Sequence, residues 1–157
     1  MKSVILMWAT LTLTTGDALA AQNIMKKSSN KTLPQQINYM DHKLFNIGFN
    51  QCNFEVWQGI VSEELEFYDD RTGLNTSFEK EVKAFKDKCS KPFDVTRKLI
   101  SSEVHKLGDF GAFQTGKHKF YVDGNLVETA QFAVIWQQTD TGWVVKRIVS
   151  YDHKTAK

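Results

Sequence analysis

Residues 108–153 read GDFGAFQTGKHKFYVDGNLVETAQFAVIWQQTDTGWVVKRIVSYDH, and this stretch decides the fold. It contains three long runs rich in β-branched and aromatic residues, at 110–122, 126–138 and 143–152. Asp123-Gly124 separates the first two runs, and residues 139–142 (TDTG) separate the last two. Both connections suit tight hairpin turns. The stretch therefore predicts three strands in series that form a curved antiparallel meander.

The part of the chain before this meander predicts three helices and two more strands. Apolar residues recur at three- and four-residue steps over 33–47, which indicates an amphipathic helix. Asn53 suits the cap of a short second helix, and a third helix is predicted to start at Ser77. Strands are predicted over 65–68 and 95–107. Helices segregated from an antiparallel sheet define an α+β class.

The first twenty residues have the layout of a cleavable secretory signal, with Lys2, an apolar run over 4–13 and the small-residue sequence Ala18-Leu19-Ala20. The apolar run is too short to span a bilayer. We therefore expect an exported protein, either periplasmic or secreted. The expected organisation is a signal peptide at 1–20, a flexible lead at 21–32, a single domain at 33–153 and a tail at 154–157.

Charge and composition exclude some classes of partner. The chain has 20 basic and 18 acidic residues, a net charge of +2, and no basic block interleaved with aromatic residues. This pattern argues against a nucleic-acid partner. No spacing of His, Cys, Asp and Glu matches a metal motif, and no cofactor-binding motif is present, so we expect neither a metal nor a cofactor.

Cys52 and Cys89 are the two cysteines of the chain. In the oxidising compartment that an exported protein reaches, they are candidates for a disulfide. By the loop-entropy relation such a link would contribute on the order of 4 kcal/mol. The alternative is two small buried thiols.

Four stretches within this order of elements carry a resemblance to a known superfamily. They are FNIGFN at 45–50, FYDD at 67–70, GAFQTGKHKF at 111–120 and SYDH at 150–153. Together they resemble the nuclear transport factor 2-like (NTF2-like) superfamily, and more narrowly the SnoaL-like proteins and the domain of unknown function 4440 (DUF4440) group. The resemblance implies a cone, in which a strongly bent sheet wraps around the helices and encloses a pocket. It also implies frequent homodimers, but no single function.

A comparison with the ketosteroid isomerases of that superfamily places their general-base aspartate on Asp69. Their oxyanion tyrosine falls on Phe45, and their second oxyanion acid falls near Ala133 or Val134. Two of three catalytic roles are therefore missing. Since losing one oxyanion donor typically costs on the order of a hundredfold in rate, steroid-type isomerisation is not expected.

Asp69 and His153 are the candidate catalytic residues. By strand alternation Asp69 shares a face with the apolar Leu65 and Phe67, so burial would raise its pKa and make it a base. The alternative is an Asp that caps the turn after the strand. His153 would supply the acid of an Asp-His pair, with Asp69 or Asp152 to orient it. The alternative is a terminal strand whose His and Asp are exposed. The candidate ligand-binding residues are Asp41, Trp57, Gln114, His118 and Asp152.

The meander also predicts a register. If Asp123-Gly124 is a two-residue turn, His118 faces Thr129 and Gln114 faces Ala133, which gives a small polar face. Phe113, Phe132, Val134 and Trp136 then lie on the opposite face. A turn of odd length would exchange these partners. On the strand before the meander, Arg97 shares a face with His105 by alternation. Arg97 could hold an acidic ligand group, but both residues are predicted at the surface.

Three functions are compatible with these observations. The leading one is an exported protein that binds a small organic molecule in the cone and forms a homodimer. The second is a lyase or hydrolase that uses an Asp-His pair in the same pocket. The third is a dimeric interaction module without turnover.

Overall fold

The computed structural model describes residues 31–157, so the predicted signal peptide and most of the predicted lead lie outside the described residues. The first described element is helix α1 (Leu33–Asp41). Thr32 caps this helix: its hydroxyl accepts a hydrogen bond from the N–H of Gln35, whose side-chain oxygen accepts from the N–H of Thr32. This reciprocal cap satisfies two backbone donors at the helix start.

The helix changes its hydrogen-bonding pattern halfway along. Residues His42–Phe49 form a π-helical segment, π1, and at its end the N–H of Asn50 donates to the carbonyl of Phe45, five residues back, at 2.7 Å. The predicted amphipathic helix is confirmed, but its apolar spacing predicted α-helix throughout. Because π-helical segments are rare and frequently lie at functional sites, π1 is a candidate part of the functional site.

Two further helices have the predicted caps. Asn53 accepts from the N–H of Val56 at the start of α2 (Phe54–Gln58), and Ser77 accepts from the N–H of Lys80 at the start of α3 (Phe78–Cys89). Both helices were expected from the sequence and are confirmed. None of the helices over residues 31–157 is long and apolar enough to cross a membrane.

Six strands form one curled sheet with the order β2-β1-β6-β5-β4-β3. They are β1 (Val61–Asp69), β2 (Gly73–Asn75), β3 (Val95–Leu107), β4 (Gly111–Val122), β5 (Asn125–Thr139) and β6 (Gly142–Thr155). The α+β class is confirmed, although the sheet is mixed, because β1 runs parallel to β6. A parallel pair needs a long connection, which the chain between these two strands supplies. Strand β2 is not predicted, since three residues are too short to show alternation.

A bulge in β5 changes the register of the meander. Val127 is the extra residue, since the pairs on either side are Phe120–Glu128 and Tyr121–Leu126. Beyond it His118 pairs with Ala130 rather than with Thr129, and the predicted two-residue-turn register is wrong by one position. One position moves a whole strand to the other face. His118 and Gln114 therefore share the inner face of the sheet with the large apolar residues of β5.

The core lies between this inner face and the helices. Trp136 and Phe132 are its largest fully buried apolar side chains. The other members include Ile37, Leu44, Trp57, Leu65, Phe85, Val134 and Val145. Removing one large side chain from such a core typically costs about 2–5 kcal/mol, so this cluster accounts for much of the stability of the fold.

Cys52 and Cys89, the predicted pair, form a disulfide with their Cα atoms 5.8 Å apart. The bond links the turn after π1 to the last residue of α3. It therefore ties together two helical segments that both contribute to the space enclosed by the sheet.

Candidate functional site

A cavity of about 260 Å³ lies between the helices and the inner face of the sheet. Its lining is mostly apolar and comes from π1, α2, α3 and three of the strands, β1, β4 and β6. The apolar lining residues are Leu44, Phe45, Phe49, Trp57, Val61, Leu65, Phe67, Ala84, Phe85, Phe120 and Ile148. Glu81, His118 and Ser150 are the polar exceptions. Apolar walls with a few placed polar groups are the usual composition of a small-molecule site.

A chain of buried polar groups leads from the first helix to His118. Asp41, Arg97 and His118 are 1%, 2% and 5% exposed. Arg97 donates from Nη1 to Asp41 Oδ2 at 2.6 Å and from Nε to His118 Nδ1 at 3.2 Å. Its guanidinium also lies 4.0 Å from the centre of the Phe45 ring, within range of a cation–π contact.

Arg97 is not at the surface, so that prediction is wrong. The cause is a bulge in β3, where Leu99 pairs with His118 but Ser101 pairs with Lys117, so that Ile100 is an extra residue. Strand alternation counted back from the later part of β3 therefore puts Arg97 on the wrong face. The side chain of Asn50, just after π1, bonds both the N–H and the carbonyl of Arg97 and anchors it.

His118 presents an N–H donor that has no protein partner. Because Arg97 donates to Nδ1, that nitrogen carries no hydrogen, and the neutral imidazole must carry its hydrogen on Nε2. Burial, with the positive charge of Arg97 and the charge of a protonated His153, lowers the pKa of His118 from 6.5 to about 3, which keeps the ring neutral. Among residues 31–157, Nε2 is one of three buried side-chain polar atoms without a hydrogen bond; Asp41 Oδ1 and Arg97 Nη2 are the others.

A second polar group lies where β1 and β6 run side by side. His153 Nδ1 is 2.5 Å from Asp70 Oδ1, and His153 Nε2 is 3.1 Å from Ser150 Oγ. Asp69 Oδ2 lies 3.8 Å from the same Nε2. The side chain of His153 is 5% exposed. The candidate pair of Asp69 and His153 is therefore brought together, but Asp70 and Ser150 are the groups that bond the imidazole.

Asp69 caps the turn and also faces inward. Its Oδ1 accepts from the N–H groups of Arg71 and Thr72 at 2.9 and 3.1 Å. Burial alone would raise the pKa of Asp69, but the backbone and side-chain contacts of Arg71, with the Thr72 N–H, outweigh it and hold the pKa below its ordinary value. The predicted raised pKa is wrong, and a carboxylate with a lowered pKa is a weak general base.

The other candidate ligand-binding residues have different positions. Trp57 lines the cavity. Asp41 does not line it and forms a buried ion pair with Arg97. Gln114 is fully buried, where its oxygen accepts from the indole N–H of Trp136 and its amide donates to Ser102 Oγ. Asp152 is exposed, bonds Gln131 and Lys154, and does not line the cavity.

Asp69, Asp70 and His153 each place one ligand-type atom within 4.8 Å of the others. Both imidazole nitrogens of His153 are already engaged, by Asp70 and by Ser150. This arrangement favours a hydrogen-bonded relay over coordination of a cation, which needs a free nitrogen lone pair.

No family model and no curated protein matches the chain. Solved structures do match. An NTF2-like protein from Cytophaga hutchinsonii is 14% identical over 76% of this chain and 98% of its own, with a TM-score of 0.65. The CamKII hub homology domain from Chlamydomonas reinhardtii is 15% identical, over 81% of this chain and 100% of its own, with a TM-score of 0.65.

A third solved structure has the same fold. It is a candidate dehydratase of the NTF2-like family from Streptomyces avermitilis, 12% identical over 73% of this chain and 91% of its own, with a TM-score of 0.64. These likenesses show that the chain has the NTF2-like fold. The narrower resemblance to SnoaL-like and DUF4440 proteins stays a prediction.

Proposed function

We propose that the protein binds a small, mostly apolar molecule in the cavity, and that His118 donates a hydrogen bond from Nε2 to a carbonyl oxygen of that molecule. The carrying observation is that His118 lines an apolar cavity and that its buried N–H lacks a protein partner. A buried donor without a partner costs about 1–3 kcal/mol, and an acceptor on the ligand recovers this cost.

The size of the cavity narrows the ligand class. At about 260 Å³ it lies just below the range of about 300–1,000 Å³ that is common for ligand pockets. The aromatic walls supplied by Phe45, Trp57 and Phe85 suit a flat apolar body. A compact aromatic or short aliphatic ketone, aldehyde or ester fits these properties.

The test compares two probes of the same shape, 2-acetylnaphthalene and 2-isopropenylnaphthalene, which has a methylene group in place of the carbonyl oxygen. Affinity is measured by calorimetry and by quenching of tryptophan fluorescence, since Trp57 lines the cavity. We expect the ketone to bind roughly tenfold more tightly, which corresponds to about 1.4 kcal/mol. In His118→Phe that ratio should fall to one while binding of the hydrocarbon persists. Equal affinities in the unmodified protein would contradict the proposal.

Two further parts of the proposal concern the setting of this activity. We propose export, which the Cys52–Cys89 bond supports, because disulfides persist mainly in oxidising compartments.

We also propose a homodimer formed through the outer face of the sheet. Tyr68, Val149 and Tyr151 are 37–38% exposed on that face, and Tyr68 pairs directly with Val149. Apolar residues grouped on a surface are typical of interaction sites.

A further inference from the structure

We propose that Ser150, His153 and Asp70 form a nucleophilic triad that hydrolyses small esters bound in the cavity. The inference rests on the proposed cavity binding and adds a reaction to it. Ser150 is the attacking group, His153 its general base, and Asp70 the residue that positions the imidazole.

A bulge in β6 makes this arrangement possible. Ser150 and His153 are three residues apart, so regular alternation would put them on opposite faces of the strand. Gln131 pairs with Tyr151 but Thr129 pairs with Lys154, so two residues of β6 lie opposite Ala130 alone. Asp152 occupies this bulge with φ of +56°, a left-handed conformation. The bulge turns His153 toward Ser150, as bulges near active sites often re-aim a side chain.

The parallel pairing of β1 and β6 supplies the third member. Asp69 pairs with Ser150, and the N–H of Asp70 donates to the carbonyl of Ser150 at 3.1 Å. The carboxylate of Asp70 therefore reaches His153 from the turn that follows β1 and accepts from both its backbone N–H and Nδ1. Although burial alone would raise the pKa of Asp70, its bonds to His153 hold the pKa below the ordinary value, so it remains a carboxylate.

The hydrogen bonds assign the protons. With its hydrogen on Nδ1 and directed to Asp70, neutral His153 has a lone pair on Nε2, which accepts the hydroxyl hydrogen of Ser150 at 3.1 Å. Orientation of an imidazole by a carboxylate so that the far nitrogen faces a serine is the relation found in Ser-His-Asp hydrolases. Ser150 is 6% exposed and lines the cavity, so this residue adjoins bound molecules rather than bulk water.

His118 gives this site a donor for the developing negative charge. It lines the same cavity from β4, which is separated from β6 by β5 alone. Its Nε2–H has no protein partner, and a preorganised donor in a dry site stabilises an oxyanion far more than water does. The same N–H that holds the ester carbonyl would strengthen its hydrogen bond as the oxygen becomes charged.

The reaction balances with water as the second reactant. Ser150 Oγ attacks the ester carbonyl carbon as its proton moves to His153 Nε2, and the resulting tetrahedral species collapses when the bond to the alkoxy oxygen breaks. His153 returns the proton to that oxygen, and the alcohol leaves. Water then attacks the acyl-serine, again losing a proton to His153, which passes it to Ser150 as the carboxylic acid departs.

The first test is covalent labelling with diisopropyl fluorophosphate, followed by intact-mass measurement and peptide mapping. Attack by Ser150 forms an O–P bond and breaks the P–F bond, with release of fluoride. We expect one adduct, on Ser150, and none in Ser150→Ala or His153→Gln. Ser101→Ala, which removes an exposed serine of β3, should label like the unmodified protein. Near-ultraviolet circular dichroism checks that each variant is folded.

Asp70→Asn tests the positioning role. We expect labelling to slow by roughly a hundredfold or more. Asp70→Glu, which keeps a carboxylate at this position, should label faster than Asp70→Asn. Equal rates in these two variants would overturn the positioning role of Asp70.

The outcomes separate this inference from the proposed function. If the protein binds 2-acetylnaphthalene but forms no adduct on Ser150, the triad is wrong and the binding proposal stands. An adduct that survives His153→Gln would likewise overturn the triad. Labelling of Ser150, with hydrolysis of 2-naphthyl acetate that is lost in Ser150→Ala, supports it.

Discussion

In His118, burial, charge and hydrogen bonding together determine the protonation state of the imidazole and which nitrogen carries its hydrogen. Arg97 donates to Nδ1, and burial keeps the ring neutral, so the free hydrogen on Nε2 follows from its surroundings. Arg97 in turn is held by Asp41 in a buried ion pair. Breaking such a pair from one side typically costs about 3–5 kcal/mol, because the remaining charge stays buried. Arg97 and Asp41 therefore fix the hydrogen-bonding state of His118.

The lowered pKa of His118 predicts acid sensitivity. Its pKa is 6.5 in the unfolded chain and about 3 in the folded protein. Between these values the unfolded chain binds a proton that the folded protein does not, so the free energy of unfolding falls as the pH drops below the unfolded pKa. At a pH of about 4.5 the loss relative to neutral pH should be on the order of 3 kcal/mol from this residue.

Urea unfolding at both pH values measures this loss. His118→Gln should remove most of the difference, since glutamine does not titrate. His42→Gln replaces an exposed histidine on π1 and should behave like the unmodified protein. If His118→Gln lost as much stability on acidification as the unmodified protein, the histidine would not be the cause.

At the level of elements, the sequence predicts the meander and the three main helices, while bulges account for most of what it misses. The turn chemistry and apolar spacing locate all but β2 of the elements. The extra residues Ile100 in β3 and Val127 in β5, with the bulge at Asp152, each reverse the facing of a strand segment. When strand alternation is counted through the bulge in β3, Arg97 is placed on the outer face of the sheet. When it is counted through the bulge in β5, His118 is paired with Thr129 in place of Ala130. No local signal in those segments marks the extra residue.

The bulge at Asp152 can be tested by its backbone requirement. A left-handed conformation is open to glycine and strained for β-branched residues by about 1–2 kcal/mol. Asp152→Gly and Asp152→Val both remove the hydrogen bonds to Gln131 and Lys154. They differ in how well the new residue tolerates the φ of +56° at this position. We expect Asp152→Val to be the less stable variant in urea unfolding and to label Ser150 more slowly. Equal behaviour of the two variants would show that the conformation of residue 152 does not position His153.

For the whole molecule, the two faces of one sheet carry different side chains. The inner face carries His118 and Ser150 toward the cavity, and the same strands present Tyr68, Val149 and Tyr151 outward. Since Val149 and Tyr151 flank Ser150 in β6, contacts on the outer face constrain the strand that carries the nucleophile. A dimer through that face would therefore stiffen the proposed active site.

This arrangement predicts a dimer that a single charge disrupts. Native mass spectrometry at micromolar concentration should give twice the monomer mass for the unmodified protein. Val149→Glu should give a monomer, because it would bury an unpaired carboxylate between two apolar surfaces. Leu107→Glu, at an equally exposed position on the far edge strand β3, should remain dimeric. A monomeric unmodified protein would show that there is no dimer. Dissociation by both substitutions alike would show that the dimer interface is not centred on Val149. If Val149→Glu also slows labelling of Ser150, dimer contacts on the outer face help to position the proposed nucleophile on the inner face.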